Sequence, residues 1–514
     1  MTEGQGQETE ESSDDASCPI GGEGCACTPG GGCDPGLSCE AGLCLAADET
    51  DTGACSELGC ACEDDQDCDA GLKCAGGSCV IDDCGNGALD DDEVCDDGNG
   101  VDGDGCDNDC TRTEILDITA GGAHTCVLIE GGRIRCWGNN LTGQVGYGAP
   151  ETIGDNETPA AIGDLPLPPA VEIEAGGTHT CARFEDGSVR CWGLNTLGQL
   201  GYGNTLTVYA LGDDETLDGL ETLSLGGSTD QLVVGVLQSC VRAGGSLRCW
   251  GVGDDGQLGT GATDNIGDDE LPDSVGAMDI GAQLESFSLG GAHGCGLTVT
   301  GTVRCWGRND RGQLGYGSNM DIGDDEAPAE AGEVSVLPDT ALPGTVITAV
   351  ELGLNHSCAL TSTREVICWG HNGSGQLGQG NLQNWGAGVD ELPAKLPPVS
   401  LGGPTAALAA GYDHTCALLV SGKVRCWGAN SSGQLGQGNE DTIGDNELPD
   451  TVEPVDLGGN AIALASGTAH TCAVLENHRV ICWGDNGFGQ LGYGFSHDIG
   501  DNESPVVAGF IDLL

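Results

Sequence analysis

Short segments of alternating apolar and polar residues, joined in pairs by tight turns, recur along most of the chain. In residues 179–193, HTCARFEDGSVRCWG, the alternation predicts a β-strand on either side of the turn at 185–187. A three-residue loop with Gly187 in the left-handed region would bring Cys181 opposite Cys191. The pattern therefore predicts an antiparallel hairpin whose two cysteines face each other.

The hairpin occurs seven times, with first cysteines 55 to 63 residues apart. In the third copy the turn is Gly244-Gly245 and the cysteines lie one residue closer, but a two-residue turn keeps Cys240 opposite Cys249. Preserved register indicates a bond at each pair, although small buried thiols in a reduced core are the alternative. The predicted disulfide residues are Cys126 and Cys136, Cys181 and Cys191, Cys240 and Cys249, Cys295 and Cys305, Cys358 and Cys368, Cys416 and Cys426, and Cys472 and Cys482.

Repeats of this length with several short strands are typical of propeller blades, so residues 115–514 are predicted to be an all-β, seven-bladed β-propeller. The chain ends in SPVVAGFIDLL and the repeats begin at EILDITAGG, which together resemble one internal connecting segment. We therefore expect strands from both ends of the chain to complete the last blade, which would leave no open edge. The tryptophan of each Cys-Trp-Gly signature is predicted to pack in the core or between blades.

These repeats resemble the regulator of chromosome condensation family. The resemblance rests on AGG.HTC, VRCWG and N..GQLG, as in residues 410–438, and it covers about 400 residues. The cysteine pairs and acidic inserts depart from the usual family pattern. The resemblance implies a propeller fold. Two activities found in the family, inhibition of β-lactamase by a secreted member and nucleotide exchange on a small GTPase, are alternatives for this chain.

The first 110 residues read as small modules. Residues 1–17 are predicted to be a disordered acidic leader, and 18–44 and 55–79 are two copies of a six-cysteine module too short for a core of its own. Six cysteines allow 15 connectivities, so the pairing stays open. Residues 84–110 resemble the short cysteine-rich repeat of myxobacterial secreted proteins, with an acidic loop that suits Ca²⁺ or is merely solvated. Its candidate calcium ligands are Asp96, Asp97, Asn99, Asp102, Asp104 and Asp107.

Three further sets of residues are candidate sites. A histidine precedes the first cysteine by two positions in six repeats, where Gln238 stands in the third; we expect these side chains to satisfy backbone groups between blades rather than to bind metal. The eighth tryptophan, Trp385, breaks the repeat and is a candidate exposed contact residue. Acidic inserts such as IGDNETP at 153–159 would either form turns or bind calcium. Their recurring carboxylates are Asp155, Glu157, Asp268, Asp269, Asp324, Asp325, Asp445 and Asp501.

Composition changes the functional expectation. The chain has 30 cysteines and a formal net charge of −66, so we expect an oxidising, extracellular or cell-surface location and no nucleic-acid partner. No signal peptide is visible after Met1, so the natural start is expected upstream, or a leader is missing, unless the protein stays inside the cell. No apolar run approaches the ~18 residues of a transmembrane helix.

The sequence therefore predicts a non-enzymatic, secreted or cell-surface binding or adhesion protein whose propeller loops contact an extracellular protein or a polysaccharide. A secreted enzyme inhibitor acting through the same loops is the alternative. Guanine-nucleotide exchange and a hydrolase in the central channel are less favoured, because charge and disulfides oppose the first and no catalytic motif supports the second. Calcium is the only cofactor expected.

Overall fold

The computed structural model describes residues 94–96, 98–99, 105–107, 110–205 and 210–514 together with four short N-terminal strands. The chain divides into two compact units, Met1–Val101 with Asn108–Thr111, and Asp102–Asp107 with Arg112–Leu514. The predictions for residues 1–17 and for most of 18–44, 55–79 and 84–110 lie outside the described residues.

The first unit contains two matching hairpins. Strands Leu37–Glu40 and Leu43–Ala46 pair with Cys39 opposite Cys44, and strands Leu72–Ala75 and Ser78–Ile81 pair with Cys74 opposite Cys79. The repeated sequence of the two cysteine-rich modules thus gives the same backbone pairing twice.

The second unit is built from seven antiparallel sheets, which confirms the prediction of an all-β, seven-bladed propeller. Each sheet runs from an inner strand beside the axis, through a second strand, to a third strand that carries the Cys-Trp-Gly signature. The three strands of blades 1 to 7 are Ile115–Ala120, His124–Ile129 and Arg133–Gly138; Ala170–Ala175, His179–Phe184 and Val189–Leu194; Thr229–Val234, Gln238–Ala243 and Ser246–Gly251; Leu284–Leu289, His293–Thr298 and Val303–Gly307; Ile347–Leu352, His356–Thr361 and Val366–Gly370; Thr405–Ala410, His414–Leu419 and Val424–Gly428; and Ala461–Ser466, His470–Leu475 and Val480–Gly484.

A short outermost pairing completes each blade. It is the strand Ala210–Leu211 in blade 2 and a single bridge to the last glycine of the third strand in the others, as between Gly138 and Ile153. Helical segments are short and follow these pairings or fill one turn: Glu130–Gly132, Pro159–Ile162, Pro272–Ser274, Pro328–Glu330, Pro393–Lys395, Pro449–Thr451 and Pro505–Ala508.

The cysteine hairpins form as the turn lengths require. Cys181 lies opposite Cys191 across a turn in which Gly187 has φ +78°, whereas Cys240 lies opposite Cys249 across a two-residue turn of positive-φ glycines. All seven predicted pairs are joined by disulfides with Cα atoms 4.0–4.1 Å apart, and every one of these cysteines is buried. Each bond therefore links neighbouring strands inside one blade.

The ring closes differently from the prediction. Blade 7 is formed by residues 461–484 with Ile499 and Ile511, and blade 1 takes all its strands from the other end of the chain, so no sheet contains strands from both ends. The expectation of a shared last blade is wrong, because the C-terminal segment occupies the place of a connecting segment rather than of a strand. Ala160 N–H donates to Asp512 O at 3.3 Å, and the Thr158 hydroxyl donates to the Asp512 carboxylate at 3.0 Å.

Candidate functional site

A hydrogen-bonded chain of side chains joins neighbouring blades at six of the seven junctions. Between blades 1 and 2, His124 Nε2 lies 2.8 Å from Thr180 Oγ1, and the Thr180 hydroxyl donates to the Gln144 carbonyl at 2.8 Å. The Trp192 indole N–H donates to the same carbonyl at 3.1 Å. Because the hydroxyl hydrogen is used in this way, His124 must donate through Nε2–H. Blades 7 and 1 are joined by the same chain, which completes the ring.

The six histidines are thus structural, but the partners predicted for them from the sequence were wrong. They bind a hydroxyl of the next blade rather than a backbone group, and burial lowers their pKa values to about 3 or 4, which keeps them neutral. The one junction that lacks the histidine supports this role. Blade 4 has Gly294 where the hydroxyl would be, and the facing residue of blade 3 is Gln238, which donates instead to Gly290 O at 3.0 Å.

A rigid framework supports the loop that follows each third strand. In blade 1 the buried Asn140 accepts the Val145 N–H at 3.0 Å, and the Gln144 side chain accepts the Thr142 N–H at 3.0 Å. Equivalent asparagine bonds recur in five other blades, and the glutamine bond recurs in all. The motif N-x-x-G-Q was visible in the sequence, but its role as a loop support was not inferred from it.

The two residues held between this asparagine and glycine differ from blade to blade. We call the seven pairs the loop tips: 141–142, 196–197, 254–255, 310–311, 373–374, 431–432 and 487–488. All seven lie on one face of the ring, the face of the glycine-containing turns that follow the inner strands, because the third strand ends there. Constant supports thus present a ring of variable side chains.

The loop tips form two chemically different sectors. In the consecutive blades 7, 1 and 2 they expose apolar side chains: Phe488 is 40%, Leu141 62% and Leu197 37% exposed. In blades 3 and 4 they are charged. Asp254 is exposed, and Arg311 lies 3.7 Å from Asp310 with half its side chain in solvent.

Trp385 does not break the repeat. Its backbone pairs with Gly370, which is the place that Ile153 and its equivalents occupy in other blades. The half-buried indole packs against the core, and its N–H donates to Leu392 O at 3.0 Å. The interpretation of Trp385 as an exposed contact residue is therefore corrected. It occupies a position that recurs in the other blades, although its sequence surroundings differ from theirs.

The acidic inserts join neighbouring blades. Gly494 N–H of blade 7 donates to Gly154 O of blade 1 at 3.0 Å, and a Cβ on Gly154 would meet Gly489 O at 2.3 Å, so the insert fits closely against the preceding loop. Where the insert reads Asp-Asn, the amide donates to the aspartate, as Asn156 does to Asp155 at 2.8 Å. These contacts favour the turn-forming interpretation for such inserts.

Three inserts carry a second aspartate instead, and their carboxylates crowd together. In each of them three carboxylate oxygens lie within 4.8 Å of one another; the residues are Asp213, Asp214 and Glu215, Asp268, Asp269 and Glu270, and Asp324, Asp325 and Glu326. The middle residue of each group is exposed and the other two are half-buried, and burial with a neighbouring carboxylate raises the pKa of Glu326 to about 7. Crowded exposed carboxylates alone do not define a metal site.

The predicted calcium loop is only partly within the described structure. Asp97, Asp102 and Asp104 lie outside it. Asp96 accepts the Gly98 N–H at 2.7 Å, and Asp107 accepts the Thr113 hydroxyl at 3.0 Å. Each of these carboxylates therefore already takes part in local structure, and calcium binding by residues 84–110 stays a prediction.

The fold and its repeated blade junctions define a class of propeller, and sequence comparison identifies it. Matches to the Regulator of chromosome condensation (RCC1) repeat cover residues 115–144, 170–199, 285–313, 347–376, 406–434 and 461–490, and a second description of the repeat covers 300–360, 365–418 and 421–474. The chain belongs to this family. The third blade, with its shorter turn, lies outside the matched ranges.

Curated relatives differ widely in size. The Ultraviolet-B receptor UVR8 of Arabidopsis thaliana is 28% identical over 392 residues, which are 75% of this chain and 80% of that protein. The E3 ubiquitin-protein ligase HERC2 of Mus musculus is 29% identical over 69% of this chain, but the match spans only 7% of the ligase. The mitochondrial RCC1 domain-containing protein RUG3 of Arabidopsis thaliana is 30% identical over 50% of this chain and 54% of its own.

Solved structures support the fold. Yeast RCC1 (Prp20), bound to Kap60, superposes with a TM-score of 0.55 at 19% identity, over 77% of this chain and 84% of that one. Human WBSCR16 gives a TM-score of 0.56 at 17% identity, over 70% and 86%. In the part of the chain that the structure describes, no helix is long and apolar enough to cross a membrane.

Proposed function

We propose that this protein is a non-enzymatic binding protein, secreted or displayed on the cell surface, which holds a protein ligand on its loop tips. The observation that carries the proposal is the contrast within each loop. Asparagine in six blades and glutamine in all seven fix the backbone of the loop, while the exposed pair that precedes the glycine varies. A fixed support with variable exposed residues is the arrangement of a recognition surface.

A protein suits the loop tips better than a polysaccharide does. Exposed apolar side chains in three adjacent blades, with arginine and aspartate beyond them, match the apolar centre and charged surroundings of protein interfaces. Phe488 is the only aromatic residue among the tips, so there is little surface for stacking sugar rings. The net charge of −66 favours a basic ligand.

The disulfides support an extracellular site of action. Each of the seven blades contains one, and the described residues include no free cysteine. Such density is rare where thiols are kept reduced. A secreted enzyme inhibitor is the second candidate, since preformed tips would bind an enzyme with little loss of conformational entropy. The identity of the ligand separates the two.

The test compares the two faces of the same blades. The variant Leu141→Ser/Leu197→Ser/Phe488→Ser alters the apolar tips, and the control Leu116→Ser/Val171→Ser/Ile462→Ser alters equally exposed apolar residues at the opposite ends of the inner strands in blades 1, 2 and 7. Immobilised full-length proteins are exposed to culture fluid and surface extracts, and captured proteins are identified by mass spectrometry.

We expect the wild type and the control to retain the same specific ligand and the tip variant to lose it at least tenfold. Equal retention by the tip variant, or selective loss in the control, contradicts the proposal. Capture of an enzyme whose activity the protein reduces favours the inhibitor.

A further inference from the structure

A cavity of about 430 Å³ lies on the axis of the ring, between the inner strands of the seven blades. Towards the loop tips it narrows to a space of about 90 Å³ among the glycine-containing turns that follow these strands. The wide part is therefore a separate compartment, remote in chemistry and position from the loop tips. We call it the channel cavity.

Acidic groups dominate the lining of the channel cavity. Asp117 comes from blade 1, Glu172 and Glu174 from blade 2, and Glu351 from blade 5; no Lys, Arg or His of the described residues lines it. Glu174 interacts electrostatically with the other three carboxylates. Like charges that face one another across a space with low-dielectric walls repel, so a cation placed among them would be stabilised.

Two of these carboxylates have protein partners and two do not. Asp117 accepts the Ile118 N–H at 2.8 Å, and Glu172 accepts Arg183 Nε–H at 2.5 Å. Within the described structure, Glu174 and Glu351 receive no hydrogen bond and no basic side chain. Enclosed carboxylates without donors are costly unless something else supplies the donors.

Neutral polar side chains also line the channel cavity. Gln231 from blade 3 and Ser288 from blade 4 supply an amide and a hydroxyl group. Between these polar groups the wall is formed by small apolar residues such as Ala349, Ala409 and Ala465.

From this lining we infer that the channel cavity binds a linear aliphatic polyamine, with its ammonium groups at Glu174 and Glu351 and its methylene chain along the alanines. An ammonium group carries three N–H donors and a positive charge, and it would supply both to the carboxylates of Glu174 and Glu351. The volume of the cavity admits an extended small molecule rather than a single ion.

A chelated metal fits less well. Ca²⁺ needs six or more oxygens converging at 2.3–2.6 Å. In the described part of the chain, groups of three acidic oxygens within 4.8 Å of one another occur only in the outer inserts and not in the channel cavity. Carboxylates on blades 2 and 5 instead suit a ligand whose charges are spaced along a chain.

Proton binding should compete with the amine. Burial raises the pKa of Asp117 to about 6 and that of Glu351 to about 7, and burial together with the neighbouring carboxylates raises the pKa of Glu174 well above its usual range. Glu172, with Arg183 beside it, completes the charged groups that face the cluster. Asp117 and Glu351 lose their protons as the pH rises through these values, so affinity should increase as the pH rises through about 6 and 7.

Isothermal titration of the full chain with spermidine, at physiological ionic strength to suppress binding to the acidic surface, tests this inference. We expect one saturable site in the wild type and in Glu185→Gln, an exposed control in blade 2. In Glu174→Gln/Glu351→Gln the site should weaken at least tenfold. Ser288→Lys, which places an ammonium group in the cavity wall from blade 4, should remove the site and leave the melting temperature equal or higher.

Three results would overturn the inference: equal spermidine affinity in the wild type and the double variant, an unchanged site in Ser288→Lys, or saturable binding of Ca²⁺ that is lost in the same variants and displaces spermidine. A further titration uses N-acetyl-lysine amide. If this compound binds and spermidine does not, the cavity accepts a lysine side chain and the polyamine inference is overturned. Because the loop tips are unaltered, ligand capture by these variants should stay at the wild-type level. A negative result in these titrations can therefore be distinguished from a failure of ligand binding at the loop tips.

Discussion

The junction between blades 1 and 2 allows a direct test of the histidine chain. Thr180→Val replaces the hydroxyl by a methyl group of similar size, and the buried His124 Nε2–H then loses its acceptor. The Gln144 carbonyl keeps the bond from Trp192. An unsatisfied buried donor costs about 1–3 kcal/mol, so we expect a loss of about 2 kcal/mol in the free energy of unfolding.

The natural junction between blades 3 and 4 predicts the rescue. There Gln238 faces Gly294 and reaches Gly290 O, so His124→Gln in the Thr180→Val protein should reach Gly176 O in the same way. We expect His124→Gln alone to cost about 1 kcal/mol, and the double variant to cost about 1 rather than the 3 kcal/mol of the two single losses together.

Urea unfolding followed by tryptophan fluorescence measures these values, because the signature tryptophans lie at the junctions. Thr196→Val, an exposed threonine in the same blade, is the control and should change stability little. Additive losses in the double variant would refute the account of how Gln238 replaces histidine.

Three other predictions follow from the blades and the acidic loop. Replacing Cys181 and Cys191 by alanine should lower the free energy of unfolding by about 3 kcal/mol on the loop-entropy model, measured by urea unfolding, and non-reducing mass mapping should find all seven pairs. The buried histidines are neutral because their pKa values are near 3 or 4, so their contribution to the free energy of unfolding is full above about pH 6.5. As the pH falls, this free energy should decrease by about 1.4 kcal/mol per histidine and pH unit, because the histidines bind protons only in the unfolded chain. Urea unfolding midpoints that do not decrease between about pH 6.5 and 5 would contradict this. Calcium should raise the melting temperature of the full chain, and Asp96→Asn/Asp107→Asn should reduce that shift; an unchanged wild-type melting curve removes the calcium prediction.

The sequence predicts what depends on local register. Alternation, turn length and the spacing of Cys240 and Cys249 suffice for the hairpins, and repetition then suffices for the propeller. The residues that join blades could not be matched with their partners, because His124 and Thr180 are 56 positions apart and meet only in the closed ring.

Other features depend on tertiary placement alone. Asp117, Glu172 and Glu351 look like ordinary outward-facing strand residues, and only ring closure puts them around one cavity. Trp385 differs from the isoleucines of other repeats, so its equivalent position was hidden. The prediction of a blade shared by both chain ends was wrong for a similar reason. In every repeat a connecting segment is followed by a strand, and the sequence does not show whether the two chain ends meet within the connecting segment or within the strand.

Amide hydrogen exchange of the protein with its captured ligand is the most direct test of binding through the loop tips. The account predicts new protection in residues 139–142, 194–197 and 485–488, around Leu141, Leu197 and Phe488, and none at residues 115–117 or 170–172 on the opposite face. Protection confined to the opposite face, or spread evenly over the blades, would contradict it.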